Sequence, residues 1–554
     1  MSESEVPVPQ MTQEDLLAYL STVEIKPPHI VFDQEQYDRD VADGLIVVSR
    51  NINIHNSPYL ASELKAAHGA STINVVADLG KPKVVITTTI AYNWSPAYIQ
   101  ACADAYCHAY GLPQRPIEVV NLDANGQKVI TPAPIDTQPV LDAINAWFTA
   151  NGTLKSGVAA NNRGSLTGIS TLPNSLPGLT DAQNGMFGWL GELILNFWAI
   201  GMNPNANFRV VCSNTATSAS LNQSVAHAST DSNFPIASTF GPTHYINMSW
   251  GDSLPGLDRA SLDDSIFINS KICYFAAANN YRWAGYPATS YNVLCAGGAS
   301  LYYDSTLGLG VEVWGGTNVP ASVNASQGGG AGFSHTIIAP TTASDGTVYN
   351  NFYTRPPHQN GLAALPDNNR RACPDLCSLG DPATGVLIIF SSVDGTKLAR
   401  HLNGGTSLAS PLLCGLFSHL SQRRINGNEV PLTTRLTDVG SSALSGSVNL
   451  QEFVYSNFKQ SSVVASSMFY DIAIGATTLP TDNNLGPDNS GKTFAAASGH
   501  DIATGLGFPL LQGIMNRMYP IQSNQPTTTV NGSASVIPSI NATLTIPKVV
   551  FNFN

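Results

Sequence analysis

The string Gly404-Gly405-Thr406-Ser407-Leu408-Ala409-Ser410-Pro411 is the part of this 554-residue chain best suited to chemistry, because a glycine turn there delivers a serine into the first turn of a helix. Such a placement exposes the hydroxyl and sets backbone N–H groups, with the positive end of the helix dipole, where an oxyanion would form. Serine and threonine more commonly open helices as plain caps, so the string taken alone reads first as a structural helix start. The pair Cys373-x-x-x-Cys377 is the other candidate, but no second pair stands at zinc-finger spacing, and zinc is not expected. The eight cysteines sit largely in apolar segments such as CYFAAAN and VLCAGGA, and are read as free, buried thiols.

A serine so placed needs a sheet to carry it, and the chain supplies one. From residue 57 an amphipathic stretch leads to VVITTTI (84–90), a helical pattern over 95–110 and IEVVNL (117–122), the alternation of a parallel β-α-β sheet. It resumes with a helix over 186–200, strands FRVVC (208–212) and HYINMSW (244–250), a helix near 257–269, and strands ICYFAAA (272–278) and VLCAGG (293–298). Continuous apolar strands of this kind belong in a sheet covered on both faces. After a Gly-rich loop (327–332) come VLIIF (386–390), the glycine turn and a long helix over 406–424. Residues 1–55 read as an N-terminal arm with one short helical signal over 14–20. Residues 56–519 form the folded domain, with 123–185 as a long insertion containing one helix over 139–149, and 520–554 form an extended C-terminal tail.

Composition excludes several classes of function. A formal charge of −12 without any Lys/Arg cluster gives no footprint for nucleic acid. The most apolar stretch, 186–202, is interrupted by Glu192 and Asn196 and falls short of the roughly 20 residues a membrane helix needs, so no membrane insertion is expected. The acidic, proline-bearing start lacks a basic region followed by an apolar core, which leads us to expect an intracellular or particle-associated protein.

The serine string is joined upstream by SWG (249–251) and AAANN (276–280), in the order and spacing of the subtilisin and sedolisin superfamily, which the chain resembles. The subtilisin branch would need a histidine at a helix start; His68-Gly69-Ala70-Ser71 lacks that pattern, precedes the first core strand and is read as an ordinary helix end. The sedolisin branch carries a Glu-x-x-x-Asp pair on one helix, where i and i+4 share a face. Gly191-Glu192-Leu193-Ile194-Leu195-Asn196 resembles that helix, CPDLCSLGDPATG (373–385) is similar to a further family segment, and so is YPATSYNVLCAGG (286–298).

The resemblance implies a subtilisin-like α/β fold, a doubly wound, mostly parallel sheet with helices on both faces, plus extended N- and C-terminal arms. It implies a serine endopeptidase in which Ser407 is the nucleophile and Glu192 its general base. Asn196 falls where the family has the aspartate behind that glutamate, and Asn280 at its oxyanion aspartate, so two signature acids are amides here. FYDI (469–472) and SGHDIATGLG (498–507) look like the two halves of the family's calcium site, which fall on Asp471, Ile472, Ala497, Gly499 and Asp501. Oxygen-only ligation suits calcium, although turn chemistry alone would account for either half. An amide at 280 still donates a hydrogen bond at any pH, whereas an amide at 196 cannot share a proton with Glu192. Two functions follow. One is a sedolisin-like endopeptidase acting on peptide or protein substrates with altered pH dependence; the other is a degenerate pseudo-peptidase with a structural role, as in a particle or virion, self-assembling through its arms.

Overall fold

The computed structural model describes residues 59–129, 181–230, 240–251, 266–304 and most of 308–520, together with the short strands Ile30–Val31 and Ile52–Asn53. The expected helices over 14–20 and 139–149, most of the helix near 257–269 and all but the first residue of the 520–554 tail lie outside the described residues.

Strands β1 (Val85–Ile90), β2 (Ile117–Asn121), β3 (Asn207–Cys212), β4 (Tyr245–Met248), β5 (Cys273–Ala277), β6 (Val293–Asp304) and β7 (Gly308–Val313) build the central sheet in the order β7-β6-β5-β4-β1-β3-β2. Neighbours run parallel from β2 through to β6, and β8 (Leu376–Leu379) adds a further parallel strand on β6. Among the described residues, only β7 and Ile52–Asn53 pair with β6 antiparallel. Every residue of β1, β4 and β5 is buried, and since successive side chains point to opposite faces, the sheet is covered on both. The Thr87-Thr88-Thr89 run is tolerated in so apolar a layer because its hydroxyls find partners: Thr87 bonds Thr243 at 2.9 Å and Thr89 accepts from the Trp250 indole at 2.9 Å.

Two helices matter most for the site. Helix α1 (Asp181–Asn196) begins five residues before the apolar pattern suggests, and α2 (Thr406–Asn426) packs across β4, β5, β6 and β8. Residues 406–422 of α2 are all buried. Its polar side chains are answered from neighbouring elements: Ser418 accepts from Asn203 Nδ2 at 2.7 Å, and Gln422 Oε1 accepts from the Val84 amide at 2.7 Å.

The run at 386–390 does not join the parallel sheet. Val386–Ser391 pairs antiparallel with Leu398–Gly404, whose other edge carries Ile30–Val31, making a separate three-stranded sheet. All eight cysteines are buried and free, as expected.

A buried polar hub ties β6 to the segment before β8. Asp375 accepts from Arg371 Nη2 at 2.6 Å, from the Cys295 amide at 2.8 Å and from Tyr455 Oη at 2.9 Å, with Arg371 and Asp375 side chains both wholly inaccessible. Burial works against the Arg371 charge, and Asp375, together with the neighbouring Cys373 and Cys295 sulfurs, more than offsets it. Asp375→Ala would strand a buried guanidinium, so it is expected to lose about 3–5 kcal/mol in chemical denaturation. A loss well below about 1 kcal/mol would show that the pair holds little of the fold.

Candidate active site

Ser407 is the second residue of α2. Gly405 caps that helix with φ +107°, a left-handed conformation that favours glycine, and its amide donates to Gly380 O at 2.6 Å. A Cβ on Gly404 would lie 2.5 Å from Gly380 O, so both glycines of the turn are required by its geometry. Pro411 lies inside the helix, four residues after Ser407, and has no N–H with which to bond the Ser407 carbonyl. That carbonyl instead accepts from Ser249 Oγ at 2.9 Å.

Glu192 lies on α1, wholly buried, and the Ser407 and Ser249 hydroxyls stand against its carboxyl. Burial pushes its pKa well above the ordinary glutamate value, and the two hydroxyls pull it back only in part. Neither contact reaches the distance and angle of a formed hydrogen bond, since both Glu192 oxygens and Ser407 Oγ are without a bonded partner. The two residues thus stand near one another without a formed hydrogen bond between them.

Asn196 shares the helix with Glu192 but is engaged elsewhere. Its Oδ1 accepts from Asn247 Nδ2 at 2.9 Å, while its own Nδ2 is buried without a partner. Asn247 is a junction: the same Nδ2 approaches Ser249 Oγ at 2.9 Å, and its Oδ1 accepts from Ser410 Oγ at 2.6 Å. Asn280 Oδ1 accepts from the Thr406 amide at 2.7 Å and Thr406 Oγ1 at 2.8 Å, which sets the amide's orientation and leaves Nδ2 as its donating end. Its neighbour Asn279 has φ +130°, a strained conformation for a non-glycine residue beside the site. Ser249, Asn247 and Pro411 lie outside the signature acids and serine; the SWG string and the proline of the serine string were their sequence signals.

His68 stands apart from this cluster. It is buried and stacked on Phe508 at 3.9 Å, with ring nitrogens against Pro509 O (2.8 Å) and Ser378 Oγ (2.9 Å), which is the structural role expected of it.

The residues matched to the calcium site come together. Phe469–Tyr470 pairs antiparallel with Phe508–Pro509, and Asp471 Oδ2 accepts from the Gly499 amide at 2.9 Å. Asp501 Oδ2 accepts from the Ala497 amide at 3.0 Å, and Ile472 is buried nearby in sequence. Burial raises the Asp501 pKa to about 6, partly offset by its amide and Thr504 donors. Both carboxylates thus accept from amides of the 497–499 segment, and carboxylate oxygens are the donors a hard cation takes. Among the described residues no group of three or more His, Cys, Asp or Glu gathers, so any such ion would rely on backbone carbonyls. No described helix is long and apolar enough to cross a membrane.

The parallel sheet with a serine-bearing buried helix against a glutamate helix defines a sedolisin-like α/β fold. Among solved structures the chain is similar to Pseudomonas sedolisin, a serine-carboxyl proteinase complexed with two molecules of pseudo-iodotyrostatin, at TM-score 0.50 and 16% identity over 83% of this chain and 98% of that one. A structure of proteases from Pseudoalteromonas arctica PAMC 21717 aligns at TM-score 0.24 and 17% identity, over 46% of this chain and 63% of that one. No protein-family model and no curated protein matches the chain.

Because Glu192 carries a raised pKa in the folded protein, burial favours its neutral form. That contribution is complete below the unfolded glutamate pKa of about 4.3 and declines as pH rises toward the folded value. Glu192→Gln, neutral at every pH, is therefore expected to match the wild type in acid and to become progressively the more stable of the two above that point. Parallel stability–pH curves for the two proteins would contradict the burial of an ionisable Glu192.

Proposed function

We propose that this chain is a serine-carboxyl endopeptidase in which Ser407 attacks a peptide carbonyl and Glu192 receives the hydroxyl proton. The observation that carries this is the meeting of a buried serine hydroxyl and a buried carboxyl, both unpartnered, at a helix start. Such orphaned groups are rare and call for a reason; a substrate that completes the bonds supplies one. The helix N-terminus and the donating end of Asn280 would face the oxyanion, and an amide does so without needing a proton from solvent. Glu192 must be ionised to act, so turnover is expected to rise with pH through its elevated pKa rather than to peak in acid.

A second reading has its own support. Ser407 and Glu192 are both fully inaccessible, and Asn196 is tied to Asn247 rather than coupled to Glu192, which is compatible with a peptidase fold kept for structure or assembly. Labelling by a fluorophosphonate probe separates the two. The enzyme reading expects labelling at Ser407 that strengthens with pH, is lost in Ser407→Ala and falls by about 10²–10⁴-fold in Glu192→Gln. A folded wild type that stays unlabelled from acid to alkaline pH would leave the structural reading standing.

We further propose that Asp471, Asp501 and the carbonyls of Ile472, Ala497 and Gly499 hold calcium. The ion would offset the burial that raises the Asp501 pKa and would lock the 471 and 497–501 loops together. An ion bound only by the folded state stabilises it by mass action, so chelation is expected to lower Tm. Asp501→Asn should melt early with or without chelator; an unchanged Tm in the chelated wild type, after verified ion removal, argues against the site.

A further inference from the structure

A cavity of about 230 Å³, to which no residue of the Ser407 site contributes, opens between the helix Ala61–Ala67, the chain just past the helix Pro96–Ala109 and the short helix Trp198–Met202. Its apolar wall includes Leu112, Pro204 and Tyr110, whose ring meets the Trp198 ring edge-on at 4.7 Å. Lys65 is the one charged side chain that lines it. This lysine is half-buried, and its ammonium donates to the Ile73 carbonyl at 3.2 Å. An ammonium has three hydrogens to give, so two are left over. Among the described residues no carboxylate pairs with it; Glu63, on the same helix, accepts instead from the Leu60 amide at 2.8 Å.

A second unanswered donor stands at the same wall. Tyr106 is buried, and its hydroxyl has no hydrogen-bond partner. A Cβ on Gly201 would lie 2.8 Å from that hydroxyl and 2.9 Å from the Ala61 Cβ, and both Gly201 and Ala61 line the cavity. The glycine is therefore what gives the hydroxyl its place beside the cavity. Buried polar groups are ordinarily bonded and part-buried charges ordinarily paired, so the two together call for an acceptor that carries negative charge. We propose that this cavity binds a small aromatic monocarboxylate, its carboxylate held by Lys65 Nζ and Tyr106 Oη and its ring lying against Tyr110, Leu112 and Pro204. The open polar groups are donors, which selects a ligand that brings acceptors, and a single ammonium matches a single negative charge. The apolar wall selects a ligand with a body to bury, which a bare inorganic anion lacks. The volume falls below that of sites for drug-sized molecules and suits one ring. This site does not depend on the peptidase reading.

Benzoate is the probe and benzamide, its uncharged counterpart, the control, each titrated into the full chain and followed by NMR and by thermal melting. Benzoate is expected to bind saturably and about tenfold or more tighter than benzamide, because hydrogen bonds to a charged group are the stronger ones. Lys65→Met should bring benzoate down to the level of benzamide, and Lys65→Gln, also uncharged, makes the same comparison where the first variant does not fold. Lys65→Arg should keep the preference for the anion. Tyr106→Phe should weaken benzoate by about tenfold and, without ligand, melt no lower than the wild type, since the hydroxyl it removes has no protein partner. Benzoate should raise the wild-type Tm and leave that of Lys65→Met unmoved. The inference is overturned by an absence of saturable binding, by benzamide binding as tightly as benzoate, or by either Lys65→Met or Tyr106→Phe binding benzoate as the wild type does. A lower Tm for ligand-free Tyr106→Phe also counts against it, since the hydroxyl would then already be serving the fold.

Discussion

A helix buried on every side must have its end groups answered by protein, because water cannot reach them. That constraint governs α2 and, through it, most of the molecule. The Thr406 amide is answered by Asn280 at the end of β5, the Ser407 carbonyl by Ser249 after β4, and the Gly405 amide by Gly380 after β8. Three strand ends of the central sheet thus converge on one helix start. The order of strands is what brings them there, since β4, β5 and β6 are consecutive neighbours and β8 lies on β6. The glycine turn is the matching condition on the helix side, closing to within a single backbone contact of the 380–382 loop.

The same burial sets the electrostatics. A carboxyl enclosed at position 192 with only hydroxyls for company prefers to be neutral. In a pair of coupled acids, the second group would share that load by taking the proton. Here the neighbouring positions are amides, whose hydrogen bonding is fixed and whose protonation does not change with pH. The result is a site whose titration belongs to one group rather than to a pair. The resulting pH response should be simple and single, where a dyad would give two steps.

Much of this was legible from residue types. The parallel sheet followed from continuous apolar runs at β-α-β spacing, and Ser407, Glu192, Asn196 and Asn280 do fall around one helix start. What escaped were contacts whose logic is three-dimensional. Ser249 gives no sign in sequence that its hydroxyl serves a carbonyl; that role exists only because Pro411, 162 positions later, withholds an amide. The placement of VLIIF was equally hidden, since an apolar run shows that a segment is buried but not which sheet receives it. Asp394-Gly395, between that run and the strand leading to Ser407, was the available hint of a hairpin. The start of α1 at Asp181 was masked by its polar first turn, which carries helix propensity but no apolar face.

The small sheet that leads into the Ser407 turn contains a pairing whose meaning lies beyond geometry. Ile30 stands opposite Gly404 and Val31 opposite Asn403, so an early stretch of the chain runs beside the last residues before Ser407. An exposed strand edge is a template for any extended segment that comes near it. By filling this one with its own backbone, the molecule occupies the place another strand would take beside the residues that lead into Ser407.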